Sequence, residues 1–203
     1  MTTPPAADHS RAEARRQQIL AAAAQCFREH GFHGASISQI SRIAGMSAGH
    51  IYHYFENKEA IIAAIVEQDL ESLLQMTGEL RAACDVRQAL IARAAKGVAE
   101  QLDPQTAGLK LEIVAEASRN PRVAEIVRNA DAASRQSLGE TIRIVRQRAG
   151  HQDDEASIAG MIEVLATLFE GLLLRTLRHP QLDHAQLTLQ VQAAIESVLS
   201  QPS

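Results

Sequence analysis

The residues between Ser36 and Lys58 combine small, hydroxylated and hydrogen-bonding side chains with regularly spaced apolar ones, in the order Ser36-Ile-Ser-Gln-Ile-Ser-Arg-Ile-Ala-Gly45-Met-Ser-Ala-Gly-His50-Ile-Tyr-His-Tyr-Phe55-Glu-Asn-Lys58. Ile37, Ile40 and Ala44 have the spacing of the inward side of one short helix. Ile51 and Phe55, four apart, are the inward side of a second, expected to pack on Phe27 and Phe32. Gly45 between them permits a sharp reversal. Ser47, Ala48, Gly49, His50, Tyr52, His53 and Tyr54 then divide between the outer surface and the packing edge of the second helix. A face of this kind carries almost no charge, many donors and acceptors, and little bulk. It is suited to hydrogen bonding with base edges and phosphate oxygens, where small residues let the backbone come close.

Other constellations carry less. His50 and His53 are three apart, as a metal pair on a helix would be, but no third ligand is near in sequence, and no metal is expected. His151, Asp153, Asp154 and Glu155 read as a helix start, where acids cap and complement the dipole. Glu112, Glu116 and Arg119 share one helix stripe; they read as a solvated i,i+3/i+4 set or, more sharply, as polar anchors for a ligand. Cys26 and Cys84 have no metal or redox spacing and are expected to be free thiols, Cys26 as a small core residue. With no nucleophile–base pair, phosphate loop or metal cluster, catalysis is excluded and no cofactor is expected.

Apolar residues make up 46% of the 203 residues and charged ones 22%, the balance of a chain able to build a hydrophobic core. The net charge of −4 is unevenly spread. Residues 1–58 hold six Lys/Arg against four Asp/Glu, and five of the eight histidines, so they are net basic; the remainder is acidic. A basic surface facing phosphate would therefore be N-terminal, with Arg11, Arg15 and Arg16 as a basic arm. The N-terminus lacks the apolar stretch of a secretory signal, and no uncharged apolar run is long enough to span a bilayer, so a cytoplasmic location without membrane association is expected.

The periodicity is helical almost throughout, predicting an all-α fold of about nine helices. Residues 1–9 are expected to be a disordered tail, 10–57 a helix-turn-helix domain, and 58–203 a helical domain for ligand binding and dimerisation. Helices are expected at about 10–30, 37–44, 48–55, 58–77, 85–101, 105–119, 121–148, 153–178 and 183–199. Gly31, Gly45, Asp103-Pro104, Asn120-Pro121, Gly150 and His179-Pro180 mark breaks between them. Ser36 with Gln39 three residues on has the spacing of a capping box.

The run Gly31-Phe32-x-x-Ala35-Ser36-Ile37, then Ile40-x-x-x-Ala44-Gly45-x-Ser47-x-Gly49-x-x-Tyr52-x-Tyr54-Phe55-x-x-Lys58-Glu59, resembles the N-terminal domain of the TetR family of repressors. The resemblance spans about residues 11–66 and implies a double-stranded DNA operator as partner. It implies phosphate contacts from Tyr52 and Lys58, contacts near Ser36 and Ser47, and base-edge contacts around Ala48, Gly49, His50 and His53. Tyr54 departs from a more usual His, and Ser41 from a common Ala.

The segment 153–178 is apolar nearly all round, which calls for burial on every side. One side is expected to meet its own domain and the other a second copy, with Ala156, Ala159, Gly160 and Ala166 allowing close approach. The resemblance agrees, implying a homodimer through 153–178 and 183–199. It also implies a pocket for a small-molecule effector. Only Phe169 among the aromatics is available to it, so an aliphatic cavity lined from Leu73, Met76, Leu102, Leu111, Val114, Met161, Leu165, Phe169 and Leu172 is expected. The run from Leu111 to Ala124 resembles the regulatory half of some family members. The expected function is a repressor released from a palindromic operator by a small apolar or amphipathic ligand; a ligand-dependent activator and a ligand-independent DNA-organising protein share the signature.

Overall fold

The first helix, α1 (Ala6–Gly34), is broken near its end by Gly31, whose φ of 70° and ψ of 167° lie outside the helical region. The computed structural model describes residues 6–202. Among them it has nine helices and no strand, the all-α architecture read from the periodicity. After α1 come α2 (Ile37–Ala44), α3 (Ala48–Tyr54), α4 (Lys58–Ala82), α5 (Val86–Gln101), α6 (Pro104–Ala117), α7 (Pro121–Arg148), α8 (Glu155–Arg178) and α9 (His184–Leu199).

Several boundaries differ from expectation for local reasons. Helix α1 starts at Ala6 rather than Ser10, since an Ala pair after Pro5 is a good first turn; residues 1–5 of the expected tail lie outside the described residues. Gly31 breaks α1 where a full stop was expected. Helix α4 runs on to Ala82 because Gly78 is followed by helix formers, and Leu80 is buried. Helix α8 starts two residues late because Asp154 is its N-cap, accepting from the Ser157 N–H at 2.8 Å.

The described chain divides into two compact units. The first holds residues up to Gln68 together with Leu109–Val127; the second holds Asp69–Gly108 and Arg128 onward. The core of the first unit explains its extent. Ile19, Ala23, Cys26, Phe27, Phe32, Ile40 and Ile51 are joined in it by Ile61, Ile62 and Ile65 of α4, by Ile113 of α6 and by Val123 of α7. Burial pushes the Cys26 thiol up from its ordinary pKa, as befits a residue acting as a small hydrophobe.

The second unit packs α5, α8 and α9 around Val98, Leu102, Ile142, Ile158, Met161, Leu165, Leu172, Val191 and Ile195. Its buried polar groups are partnered. Arg146 is 1% exposed; it donates to Asp153 Oδ2 at 2.7 Å and to the carbonyls of Leu199 and Gln201 at 3.0 and 2.6 Å. Thr77 and Ser137 share a hydrogen bond of 2.6 Å, and Arg81 donates to the Ser137 carbonyl at 3.0 Å.

Helix α8 is not buried on all sides within this one chain. Val164, Leu174 and Leu177 are 52%, 44% and 54% exposed, as is Leu189 of α9 at 59%. Gly160, Val164, Thr167, Gly171 and Leu174 follow one another at alternating steps of four and three, the spacing of a helix–helix seam. A Cβ added to Gly160 or Gly171 would meet nothing within 4 Å, so neither glycine is required by packing inside the chain. By length and composition α8 would also pass for a membrane span, as core helices often do.

Candidate nucleic-acid interface

Two short helices in the first unit are shaped by their caps. Ser36 accepts from the Gln39 N–H at 3.2 Å while the Gln39 side chain accepts from the Ser36 N–H at 2.8 Å, completing the capping box expected at the start of α2. The Ser36 hydroxyl also donates to Gln39 Oε1 at 2.8 Å. Gly45 ends α2 at φ 62°, ψ 34°, and the following Met46 N–H returns to the Ser41 carbonyl at 2.9 Å. A side chain at that left-handed position would be strained, which accounts for the glycine. Gln18 of α1 secures the same end, donating to the Ala44 carbonyl at 2.7 Å. Ser47 then caps α3 by accepting from the His50 N–H at 3.2 Å.

With its ends fixed, α3 sorts its residues cleanly. Ile51 is fully buried in the first core, and Phe55 follows it at 5% exposure. Gly49, His50, Tyr52 and His53 are exposed, Tyr52 to 56%. Ala48 and Tyr54 are half-buried and form the packing edge. The Tyr54 ring lies 5.4 Å from both the His50 and the His53 ring, in edge-on contacts at 60° and 88°. Both imidazoles are thus steadied from one side while remaining accessible. A Cβ on Gly49 would meet nothing within 4 Å, so that glycine leaves bare backbone at the surface. The described residues contain no group of three or more metal-ligating side chains.

Lys58, expected to meet a phosphate, is also engaged within the chain. Its ammonium donates to the carbonyls of Phe32 and Ala35 at 2.5 and 2.8 Å and lies 4.4 Å from the centroid of the Phe32 ring. It is half-buried and spent on the end of α1, where lone carbonyls attract a cation. Arg16 is likewise engaged, 5.7 Å from the Phe55 ring and 3.8 Å from Glu67, while Arg15 donates to Gln18. Arg11, Arg15 and Arg16 lie on α1, within the helix expected over 10–30, and Arg11 is exposed upon it.

The stripe of α6 corrects the solvated reading of its two acids, although Glu116 and Arg119 do form an i,i+3 pair at 3.5 Å. Glu112 accepts from the Phe32 N–H at 2.7 Å, and Glu116 is fully buried, 3.1 Å from His33 Nε2. Neither is a solvated surface acid. The signal was present in the sequence as two acids one turn apart on a helix stripe, but their targets, Phe32 and His33, lie some eighty residues earlier.

The nine residues expected to line a pocket are divided between the units. Leu111 and Val114 belong to the first, and Val114 is 57% exposed, so it is withdrawn as lining. In the second unit, Leu102, Met161, Leu165 and Leu172 are tightly packed core. Leu73, Met76 and Phe169 are half-buried, and the Phe169 ring occupies the space where a Cβ on Gly97 would come within 2.8 Å. A shallow depression between Asp85, Arg87, Val145 and Arg148 includes none of the nine.

Comparison with known proteins places this geometry. Residues 19–65 match the family model described as bacterial regulatory proteins, tetR family, and residues 98–200 match the C-terminal model of the BetI-type transcriptional repressor. The chain is 31% identical over 162 residues to the HTH-type transcriptional regulator UidR of Escherichia coli (strain K12), covering 80% of this chain and 81% of that protein. A shorter match, 33% identical over 75 residues, joins it to the HTH-type transcriptional repressor AcnR of Corynebacterium diphtheriae, covering 37% of this chain and 40% of that one. Among solved structures it resembles Salmonella enterica GusR, with a TM-score of 0.78 and 28% identity over 93% of this chain and 96% of that one. FadR from Bacillus subtilis, solved in complex with stearoyl-CoA, superposes with a TM-score of 0.76 at 19% identity, covering 91% and 97%, a likeness of fold alone.

Proposed function

Because the chain belongs to the tetR family of bacterial regulatory proteins, and is thus a helix-turn-helix transcriptional regulator rather than an enzyme, we propose that it is a homodimeric repressor of a palindromic operator, released by a small effector. The observation that carries the reading is the outward face of α3. Gly49, His50, Tyr52 and His53 stand exposed on a helix whose opposite side is anchored by fully buried Ile51. Tyr52 supplies a hydroxyl to a phosphate, as does Ser47, while His50 and His53, with the bare backbone at Ala48 and Gly49, address base edges. Ser36 is assigned to capping, and Lys58 to holding the end of α1.

One seven-residue helix offers too few base contacts for a unique site, and a pair related by two-fold symmetry doubles them. The seam of Gly160, Val164, Thr167, Gly171 and Leu174 on α8, with exposed Leu189 on α9, is the proposed contact between copies. Small residues there allow two helices to approach closely, and the exposed leucines gain burial. The effector is assigned to the second unit, near the half-buried Leu73, Met76 and Phe169, as an apolar or amphipathic small molecule. It acts by favouring a form in which the paired recognition helices no longer match successive grooves. The cytoplasmic location read from the sequence accompanies this function.

Selection of duplexes from a random library by the purified protein tests the reading. The expected product is an inverted repeat whose half-sites are about one helical turn apart or a multiple of it. Recovery of no sequence preference would refute the reading, and an asymmetric single site would refute the dimer.

A further inference from the structure

The backbone of Phe32 is held at both of its polar groups by oppositely charged side chains. Its N–H donates to Glu112 Oε1 of α6 at 2.7 Å, and its carbonyl accepts from Lys58 Nζ of α4 at 2.5 Å. Phe32 immediately follows Gly31, the break in α1. At a break, N–H groups lose their acceptors and carbonyls their donors, so an anion on the first and a cation on the second is the electrostatically favourable arrangement. Glu112 lies so close that a Cβ on Gly31 would come within 3.2 Å of Oε1, at a φ that also disfavours a side chain.

One turn further along α6, Glu116 is the second acid. Its carboxylate lies 3.1 Å from His33 Nε2 and 3.5 Å from Arg119, and accepts from Asn120 Nδ2 at 3.1 Å. The same Asn120 amide reaches Glu59 of α4 at 3.4 Å. Packing α6 against the first core needs only apolar residues, as Ile113 shows. A fully buried carboxylate is costly unless it has specific partners, and one of those of Glu116, His33, lies where α1 leads into α2. That lead, Phe32 to Ser36, fixes the direction in which α2 and then α3 depart.

We propose that Glu112 and Glu116 are positioning residues for DNA recognition: α6 sets the exit of α1 at Gly31–Phe32 and through it the pose of α3. Neither acid touches DNA. The inference rests on the DNA-binding reading above and adds to it residues remote from the recognition surface, carried on a helix outside the helix-turn-helix.

The test uses the full chain, the duplex that the wild-type protein selects from a random library, and a scrambled duplex of equal length, at a temperature well below the melting point of every variant. Non-specific affinity depends on phosphate charge and tolerates misorientation, whereas selective affinity does not. Glu112→Gln retains an acceptor oxygen and is expected to bind both duplexes within about twofold of wild type. Glu112→Ala leaves the Phe32 N–H unsatisfied and is expected to lose about tenfold on the selected duplex, with little change on the scrambled one. Glu116→Gln keeps the Asn120 contact but loses its charge toward His33 and Arg119, and is expected to lose about threefold in the same ratio. An unchanged ratio in Glu112→Ala, whatever its melting temperature, overturns the proposal, as does an equal loss in Glu112→Gln. Should Glu112→Ala not fold, Glu116→Gln decides: a reduced ratio supports the proposal and an unchanged ratio overturns it. A wild-type protein that selects no duplex overturns the DNA reading and this proposal with it, which distinguishes the two failures.

Discussion

The two units expose opposite kinds of surface while using similar devices inside. In the first, the core takes most of the large apolar side chains, Ile43 and Val114 remaining exposed, and the outward side of α3 is polar with little charge. In the second, a well-filled core still leaves Val164, Leu174, Leu177 and Leu189 in solvent. In both units charged side chains hold backbone ends, Lys58 and Glu112 at the α1 break and Arg146 at the end of α9, while fully buried Glu116 meets the side chains of His33, Arg119 and Asn120. The contrast therefore lies in what is left outside. A hydrogen-bonding face without bulk fits a nucleic-acid groove, whereas an apolar seam of small residues fits another helix.

That contrast is most severely tested at Gly171. A Cβ there meets nothing within 4 Å, and leaving glycine raises helix propensity, so Gly171→Leu should not harm the isolated fold. It should block approach of a second copy, giving a monomer in sedimentation and roughly a hundredfold loss of operator affinity, as expected when two linked half-site contacts become one. A dimer that persists with unchanged affinity would move the interface away from the α8 seam.

Next in size is Lys58. With its ammonium on the Phe32 and Ala35 carbonyls, Lys58→Met should lower the stability of the first unit by about 2 kcal/mol, read in denaturant unfolding. The salt dependence of DNA binding should keep its slope. A slope shallower by about one unit would instead mean that the lysine neutralises a phosphate.

These two residues also show what the sequence made legible. The positions of α2 and α3 were readable to within a residue because caps and breakers are local: Ser36, Gln39, Gly45 and Ser47 act on neighbours within a turn. The inward faces of those helices followed from spacing for the same reason. The roles of Lys58, Glu112 and Glu116 were not readable, because a charged side chain on a helix stripe has the same pattern whether it meets solvent or a backbone end distant in sequence. The extent of the first unit was hidden similarly: Ile113 and Val123 look like any apolar helix positions until folding brings them into one core with Phe27 and Ile62. The expected pocket failed at Val114 because helical spacing gives the apolar residues on a stripe without giving the neighbour that covers them.

A smaller effect separates recognition from mere affinity. His50 is exposed and held edge-on to Tyr54, so His50→Ala should change the preferred base at one position of each half-site by roughly tenfold, with little effect on scrambled DNA. Competition between the selected duplex and its single-base variants reads this directly. Equal loss on all of them would place His50 outside the base-reading set.

The finest discrimination lies between the two capping serines, which differ in how their hydroxyls are used. Ser36 both accepts from the Gln39 N–H and donates to Gln39 Oε1, so both roles of its hydroxyl are filled within the capping box. Ser47 accepts from the His50 N–H and so can still donate its own hydrogen outward at the start of α3. Each change to Ala should cost about 1 kcal/mol of stability, the usual loss of an N-cap. Only Ser47→Ala should also weaken DNA binding, by about fivefold for one lost hydrogen bond to phosphate, measured where both variants are fully folded. An equal drop for Ser36→Ala would mean that the operator draws the Ser36 hydroxyl out of its capping box, extending the polar recognition surface from α3 back to the start of α2.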